Sequence, residues 1–119
     1  TASIGGPGQG SYSIKKTALE SVLKTLAIEE GKFGITANII SPGIILTEGA
    51  NNNYSPELLD TFSRMNVMGR AGCPEEIAHA VSFLASPLAS YITGVNIPVC
   101  AGYDLGWGIE YALEGKLKL

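Results

Sequence analysis

Cysteine and histidine are scarce in this sequence. Cys73 lies in a glycine-rich turn and Cys100 ends an apolar run, so the two thiols do not form a disulfide framework. Together with the single histidine, His79, they are also too few and too scattered for a zinc site. We therefore expect no metal, a purely structural role for His79, and two reduced thiols in a cytoplasmic protein.

Basic residues and long apolar runs are scarce as well. Eight Lys and Arg against 11 Asp and Glu give a net charge of −3. This balance argues against a surface for nucleic acid or for an anionic membrane. No apolar stretch reaches the ~18 residues that a membrane-spanning helix needs. The remaining composition, 45% hydrophobic and 16% charged residues, is typical of a folded domain.

The hydrophobic spacing predicts alternating helices and strands. Apolar residues three and four apart predict a helix over residues 11–29, ended by Gly31. A β-branched run predicts a strand over residues 35–40, which Ser41-Pro42-Gly43 stops, and a second strand is predicted over residues 95–99. Between the strands we expect a short helix over residues 56–65 capped by Ser55, and another from Pro74 that Ser86-Pro87 closes.

The two predicted strands do not make a complete sheet. Both are apolar on each face, as strands of a parallel sheet covered on both sides are. Two strands alone do not form a stable parallel sheet. The sequence therefore predicts an α/β fold whose sheet needs further strands from elsewhere.

A tyrosine and a lysine four residues apart stand at the start of the first helix. This spacing puts Tyr12 and Lys16 on one helix face, one turn apart. A phenol ordinarily ionises near pH 10, and a neighbouring ammonium favours its ionised form. Such a pair can take the proton of an alcohol as hydride leaves, or return it to a carbonyl. The alternative is an ordinary amphipathic helix with Lys16 solvated; Lys15, three residues from Tyr12, is a competing partner.

The order of these motifs resembles the short-chain dehydrogenase/reductase family. In that family the Tyr–Lys helix is followed by a strand, a Pro-Gly turn, an aliphatic residue and a Thr. The resemblance covers residues 1 to about 103 and is carried by the following segments: Tyr12 to Lys16, Asn38 to Gly43, Ile45, Thr47, Gly69-Arg70, Pro74 to Ala78, Phe83 to Ser86, and Ile92-Thr93-Gly94.

The resemblance implies roles for six residues around NAD or NADP. Tyr12 would be the general acid/base, and Lys16 would favour its ionised form and bind the nicotinamide ribose. Pro42 and Gly43 would shape the nicotinamide pocket. The backbone of Ile45 would bind the carboxamide, and the Thr47 hydroxyl the carboxamide or the pyrophosphate.

The family fold implied is the C-terminal part of a Rossmann-type doubly wound parallel sheet. Residues 1–119 would be the catalytic and substrate-lid portion of a single domain. Its N-terminal dinucleotide-binding half, with the phosphate loop and the active-site Asn, is absent from this sequence. The glycines at positions 5, 6 and 8 do not have the spacing of that loop. The family's catalytic Ser falls upstream of Thr1, with Ser3 as a poor stand-in.

Three functions remain open at this stage. The first is an NAD(P)-dependent alcohol dehydrogenase or carbonyl reductase completed by its N-terminal half or a companion chain. The second is an inactive oligomerisation or interaction module derived from the family, and the third is an unrelated small protein. Intact Tyr12, Lys16 and Thr47 favour the first.

Substrate and assembly follow from the same resemblance. The lid residues 47–68 contain no arginine cluster, which favours a neutral alcohol or ketone; Tyr54, Phe62, Met65 and Met68 are candidates to touch it. In the family the Tyr–Lys helix packs against its symmetry mate. We therefore expect a homo-oligomer, a dimer or a homotetramer.

Overall fold

The computed structural model describes Gly8 and residues 10–49 and 54–105. Helices α1 (Gly10–Glu30), α2 (Pro56–Ser63) and α3 (Pro74–Leu84) and strands β1 (Ile39–Pro42) and β2 (Asn96–Val99) lie in this part. The described residues divide into two compact units, one of Gly8 and residues 10–41 and 78–98 and the other of residues 42–49, 54–77 and 99–105. Each unit is described by itself below.

The two strands pair as a parallel sheet. The N–H of Ile39 donates to the carbonyl of Val95 (2.9 Å), and that of Gly43 donates to the carbonyl of Val99 (3.0 Å). Alternate residues therefore turn their N–H groups toward β2, and the nitrogen of Pro42 faces away from it. The lack of an N–H at Pro42 thus removes no hydrogen bond to β2. The expectation that Pro42 stops the strand was wrong for this reason.

Residues 35–38, expected in the strand, lie outside β1, and Ala37 and Asn38 are held by hydrogen bonds to residues 92–94. Ala37 donates its N–H to Thr93 Oγ1 (3.0 Å), and Asn38 Nδ2 donates to the carbonyl of Ile92 (2.8 Å). Gly94, with a φ of 73°, donates to the carbonyl of Ala37 (2.7 Å). These contacts give the Ile92-Thr93-Gly94 motif a structural role, because it ties the start of β1 to the start of β2.

Helix α1 agrees with its prediction except at its end. The chain tightens after Glu30 into a 3-10 turn, Gly31–Phe33, and the left-handed glycine that terminates it is Gly34 (φ 77°), not Gly31. Leu23 and Ala27 lie on the half-buried side of α1. An apolar stripe beside it stays exposed in this chain, and it includes Leu19, Val22 and Leu26.

Helix α2 begins as predicted and ends two residues early. Ser55 caps it by accepting the N–H of Leu58 (3.3 Å). At the other end the buried Asn66 side chain donates from Nδ2 to the carbonyls of Ser63 (2.9 Å) and Arg70 (2.8 Å). Because these bonds satisfy a carbonyl of the last turn, the helix ends at Ser63 and the chain enters a tight loop.

Ala101, two positions after the end of β2, has an unfavourable backbone conformation. Ala101 has a φ of 51°, in the left-handed region that favours glycine. We expect Ala101→Gly to raise the free energy of unfolding by about 1 kcal/mol, because the steric cost of the Cβ disappears. Urea titration measures it. Ala78→Gly, at an exposed position inside α3, is the control and should destabilise by about as much; a loss at both sites would contradict this view of Ala101.

Candidate active site

The predicted catalytic pair lies at the start of α1. The ammonium of Lys16 lies 5.5 Å from the centroid of the Tyr12 ring, over its face. At 100° per residue both side chains project on the same helix face as Leu23 and Ala27. The Tyr12 side chain is 52% exposed in this chain, so a small molecule can reach it. A phenol and an ammonium are thus side by side on an accessible surface of the first unit.

The four predicted cofactor residues at the end of β1 and in the turn after it belong to the second unit. They follow one another closely along the chain: Pro42, Gly43, Ile45 and Thr47. Gly43 lies against the end of β2, since a Cβ at this position would lie 2.7 Å from Cys100 Cα and 3.0 Å from Cys100 Cβ. The close approach that Gly43 permits is therefore, in this structure, to the protein's own backbone.

We expect Gly43→Ala to destabilise the protein by about 1–3 kcal/mol, the usual cost of overpacking. The added Cβ meets backbone atoms of Cys100, which cannot turn away as a flexible side chain can. Gly31→Ala is the matched control, since nothing lies within 4 Å of a Cβ there. Thermal melts of both variants measure the difference, and equal melting temperatures would show that β2 yields easily.

A small bridge fixes the segment that contains Ile45. The N–H of Gly72 donates to the carbonyl of Ile44 (2.9 Å), and the N–H of Leu46 donates to the carbonyl of Gly72 (2.9 Å). Ile45 and Gly72 thus form an isolated parallel bridge. In such a bridge the central residue turns its own N–H and C=O away from its partner. An amide donor and an amide acceptor at Ile45 suit a carboxamide ligand.

Arg70 and Glu76, which lie before and after Gly72 in the sequence, form one ion pair. The Arg70 guanidinium binds both oxygens of the Glu76 carboxylate, with Nη2–Oε1 at 2.7 Å and Nη1–Oε2 at 3.0 Å. Glu76 Oε2 also accepts the N–H of Cys73 (2.9 Å). These hydrogen bonds, that from Arg70 first, lower the pKa of Glu76 to about 2. The sequence reasoning missed this pair, although a Glu three residues after the residue that precedes a helix is a capping signal.

This pair should make stability depend on acid. The pKa of Glu76 falls from 4.5 to about 2 on folding. Its contribution to stability is therefore complete above about pH 4.5 and is lost as the pH falls toward 2. We expect urea titrations to show Glu76→Gln less stable than the parent at pH 6, with the difference vanishing near pH 2. A difference that stays constant over this range would contradict the assignment.

Other residues singled out by the sequence have modest roles. The Tyr54 and Phe62 rings pack edge to face, 6.0 Å apart. Met68 is 61% exposed and Met65 is partly buried, while His79 is exposed on α3. The Cys100 thiol donates to the Asp104 carboxylate (3.1 Å), and Cys73 and Cys100 are both free thiols. Ser3 and the glycines at positions 5 and 6 lie outside the described residues.

Within residues 10–49 and 54–105 no cluster of three His, Cys, Asp or Glu side chains has metal-binding geometry. No helix in that part of the chain is both long and apolar enough to cross a bilayer.

Comparisons with known proteins agree with the motif order. Residues 1–104 match the family model described as enoyl-(acyl carrier protein) reductase. The chain is 43% identical to galactitol 2-dehydrogenase (L-tagatose-forming) of Cereibacter sphaeroides over 96 residues, which are 80% of this chain and 38% of that protein. It is also 34% identical to the angucycline C-6 ketoreductase LanV with bound NADP, with a TM-score of 0.79 over 87% of this chain and 40% of that one.

A further solved structure is similar and indicates the same fold. The 4-hydroxyisoleucine dehydrogenase complexed with NADH is 30% identical, with a TM-score of 0.77 over 88% of this chain and 44% of that one. These matches confirm the predicted fold class, part of a Rossmann-type α/β sheet. The chain spans about two fifths of the length of these proteins. With the family model matched over residues 1–104, the chain belongs to the short-chain dehydrogenase/reductase family.

Proposed function

We propose that this chain is the catalytic part of an NAD(P)-dependent oxidoreductase that interconverts an alcohol and a ketone. One observation carries the proposal: Lys16 lies over the Tyr12 ring, 5.5 Å from its centroid, on an accessible face of α1. The names of the relatives support it, since they are dehydrogenases and reductases. Two of the similar structures hold NADH or NADP, which supports either as the cofactor.

In this proposal Tyr12 moves the proton. During oxidation the Tyr12 phenolate takes the hydroxyl proton of the alcohol, while the carbinol carbon releases hydride and becomes a carbonyl carbon. In the reverse direction the Tyr12 phenol returns a proton to the carbonyl oxygen. The ammonium of Lys16 stabilises the negative charge on the phenolate through both directions. A bound nicotinamide supplies the hydride acceptor or donor.

The turn after β1 holds the nicotinamide end of the cofactor. The Ile45 peptide, directed away from Gly72, offers one donor and one acceptor for a carboxamide, and the Thr47 hydroxyl adds a further polar contact there. Pro42 and Gly43 set the path of the chain into this turn, with Gly43 packed on Cys100. The donor set present therefore fits a nicotinamide carboxamide.

The adenosine end needs a second part. We propose that residues 1–119 form the catalytic and lid portion of a single dehydrogenase domain, and that a nucleotide-binding half from the same enzyme or a companion chain completes it. The two-stranded sheet of the described residues supports this division, since two strands alone do not form a stable parallel sheet. A soluble, cytoplasmic homo-oligomer acting on a neutral alcohol or ketone is the form proposed.

The completed enzyme, meaning this chain with a nucleotide-binding half, tests the function. A direct route replaces the 96-residue segment of the Cereibacter galactitol 2-dehydrogenase that aligns with this chain by this chain's own residues. We expect reduction of NAD⁺ or NADP⁺ that depends on galactitol or another neutral secondary alcohol. A folded chimera that binds the dinucleotide but oxidises no such alcohol would contradict the proposal and favour an inactive interaction module.

A further inference from the structure

The loop of residues 69–72 holds residues 44–46, the cofactor segment, by backbone hydrogen bonds. Its two hydrogen bonds reach the carbonyl of Ile44 and the N–H of Leu46, on either side of Ile45. These bonds determine which way the Ile45 peptide groups point. Whatever fixes Gly72 therefore also fixes the direction of the Ile45 donor and acceptor.

Arg70 and Glu76 form hydrogen bonds with the peptide groups on both sides of Gly72. Arg70 Nη1 donates to the carbonyl of Ala71 (3.1 Å), just before Gly72, and Glu76 Oε2 accepts the N–H of Cys73 (2.9 Å), just after it. The two side chains are joined to each other by two further hydrogen bonds. Gly72 is thereby held within a closed ring of charge-assisted bonds, which are stronger than neutral ones.

Gly72 lies close against the side chains of Ile45 and Glu76. A Cβ there would lie 2.8 Å from Ile45 Cδ1 and 3.2 Å from Glu76 Oε2. Arg70 and Glu76 also line one small cavity of about 50 Å³ together with Gly43 and Ile45. The ion pair is thus packed against the cofactor segment.

We propose that Arg70 and Glu76 are positioning residues for the nicotinamide carboxamide, acting through Gly72 on Ile45 and Thr47. The inference rests on the proposed function, in which Ile45 and Thr47 bind that group. In this proposal neither side chain contacts the cofactor itself. Since the pair is exposed, its effect on global stability is small. Its effect on binding is larger, because small displacements of a binding group are costly.

The test compares two dinucleotide probes on the completed enzyme. Glu76→Gln keeps the size of the side chain and removes its charge. We expect the Kd for NAD(P)H to rise about tenfold, because the Ile45 donor and acceptor are no longer held in the direction of the carboxamide. The Kd for ADP, which has no nicotinamide, stays unchanged. The matched control is Asp60→Asn, which breaks the other exposed Arg–carboxylate pair, Arg64–Asp60 at 2.9 Å, and should change neither constant.

Amide hydrogen exchange supplies a second readout that needs no cofactor. The N–H groups of Gly72 and Leu46 should exchange about tenfold faster in Glu76→Gln than in the parent, while the N–H of Gly43 keeps its rate. Equal weakening of NAD(P)H and ADP, or unchanged exchange at Gly72 and Leu46, would overturn the positioning role. If the parent itself binds no NAD(P)H, the proposed function fails as well, and exchange alone then reports whether the pair holds the bridge.

Discussion

Tyr12→Phe in the completed enzyme is expected to lower kcat by about 10²–10⁴, the usual contribution of a proton-transfer group. The substitution removes only the hydroxyl, so the ring remains under the Lys16 ammonium. The affinity for the cofactor should change little. Steady-state kinetics with a secondary alcohol, together with a cofactor titration, measures both quantities.

Two controls separate this effect from general damage. Tyr91→Phe removes a hydroxyl from a fully exposed side chain and should leave kcat unchanged. Lys16→Met should lower kcat and weaken cofactor binding, whereas Lys15→Met should do neither, which distinguishes the two adjacent lysines. A Tyr12→Phe enzyme that retains kcat within a factor of about two would remove Tyr12 from the mechanism.

Placing a charge on the exposed apolar stripe of α1 is expected to dissociate the oligomer. Val22 and Leu26 are 57% and 44% exposed in this chain and lie one turn apart. If α1 packs on its symmetry mate, Val22→Asp or Leu26→Asp buries two like charges near the twofold axis. The cost is several kcal/mol per dimer, enough to separate a typical interface. Sedimentation of the completed enzyme and each variant at equal concentration measures it.

Ile28→Asp is the matched control for this experiment. Ile28 is 81% exposed, but at 100° per residue it projects about 120° away from Val22 and about 160° away from Leu26. It should leave the oligomeric state unchanged. If both stripe variants also sediment like the parent, α1 is not the interface, and α3 and β2 become the surfaces to examine.

Local chemistry in the sequence predicted most element starts. Ser55 and Pro56 carry the cap and first position of α2, and hydrophobic spacing predicted α1, so these needed no tertiary information. The boundaries of β1 were harder, because they depend on which residues turn their N–H toward β2. Pro42 is allowed in the strand by that register alone, and no local signal reveals it.

In the candidate active site, too, local features were predictable from the sequence and long-range contacts were not. The Tyr12–Lys16 spacing follows from helix geometry, so the sequence alone placed both on one face. The partner of Gly43, Cys100, lies far along the chain, and so does the contact of Gly72 with Ile45. No periodic pattern in the sequence predicts either contact. The position of Glu76 in the first turn of α3 could have predicted its hydrogen bond to Cys73. The hydrogen bonds of the Arg70–Glu76 pair on both sides of Gly72 depend on the tertiary structure.

The most direct measurement of the central claim follows one hydrogen atom. The completed enzyme is given a secondary alcohol deuterated at the carbinol carbon and one equivalent of NAD⁺ or NADP⁺, and the reduced cofactor is examined by mass spectrometry. If the Tyr12–Lys16 pair serves hydride transfer, the cofactor gains one deuterium, and Tyr12→Phe gains it more slowly by the factor found in kcat. A folded parent enzyme that binds the cofactor and transfers no deuterium would contradict the account.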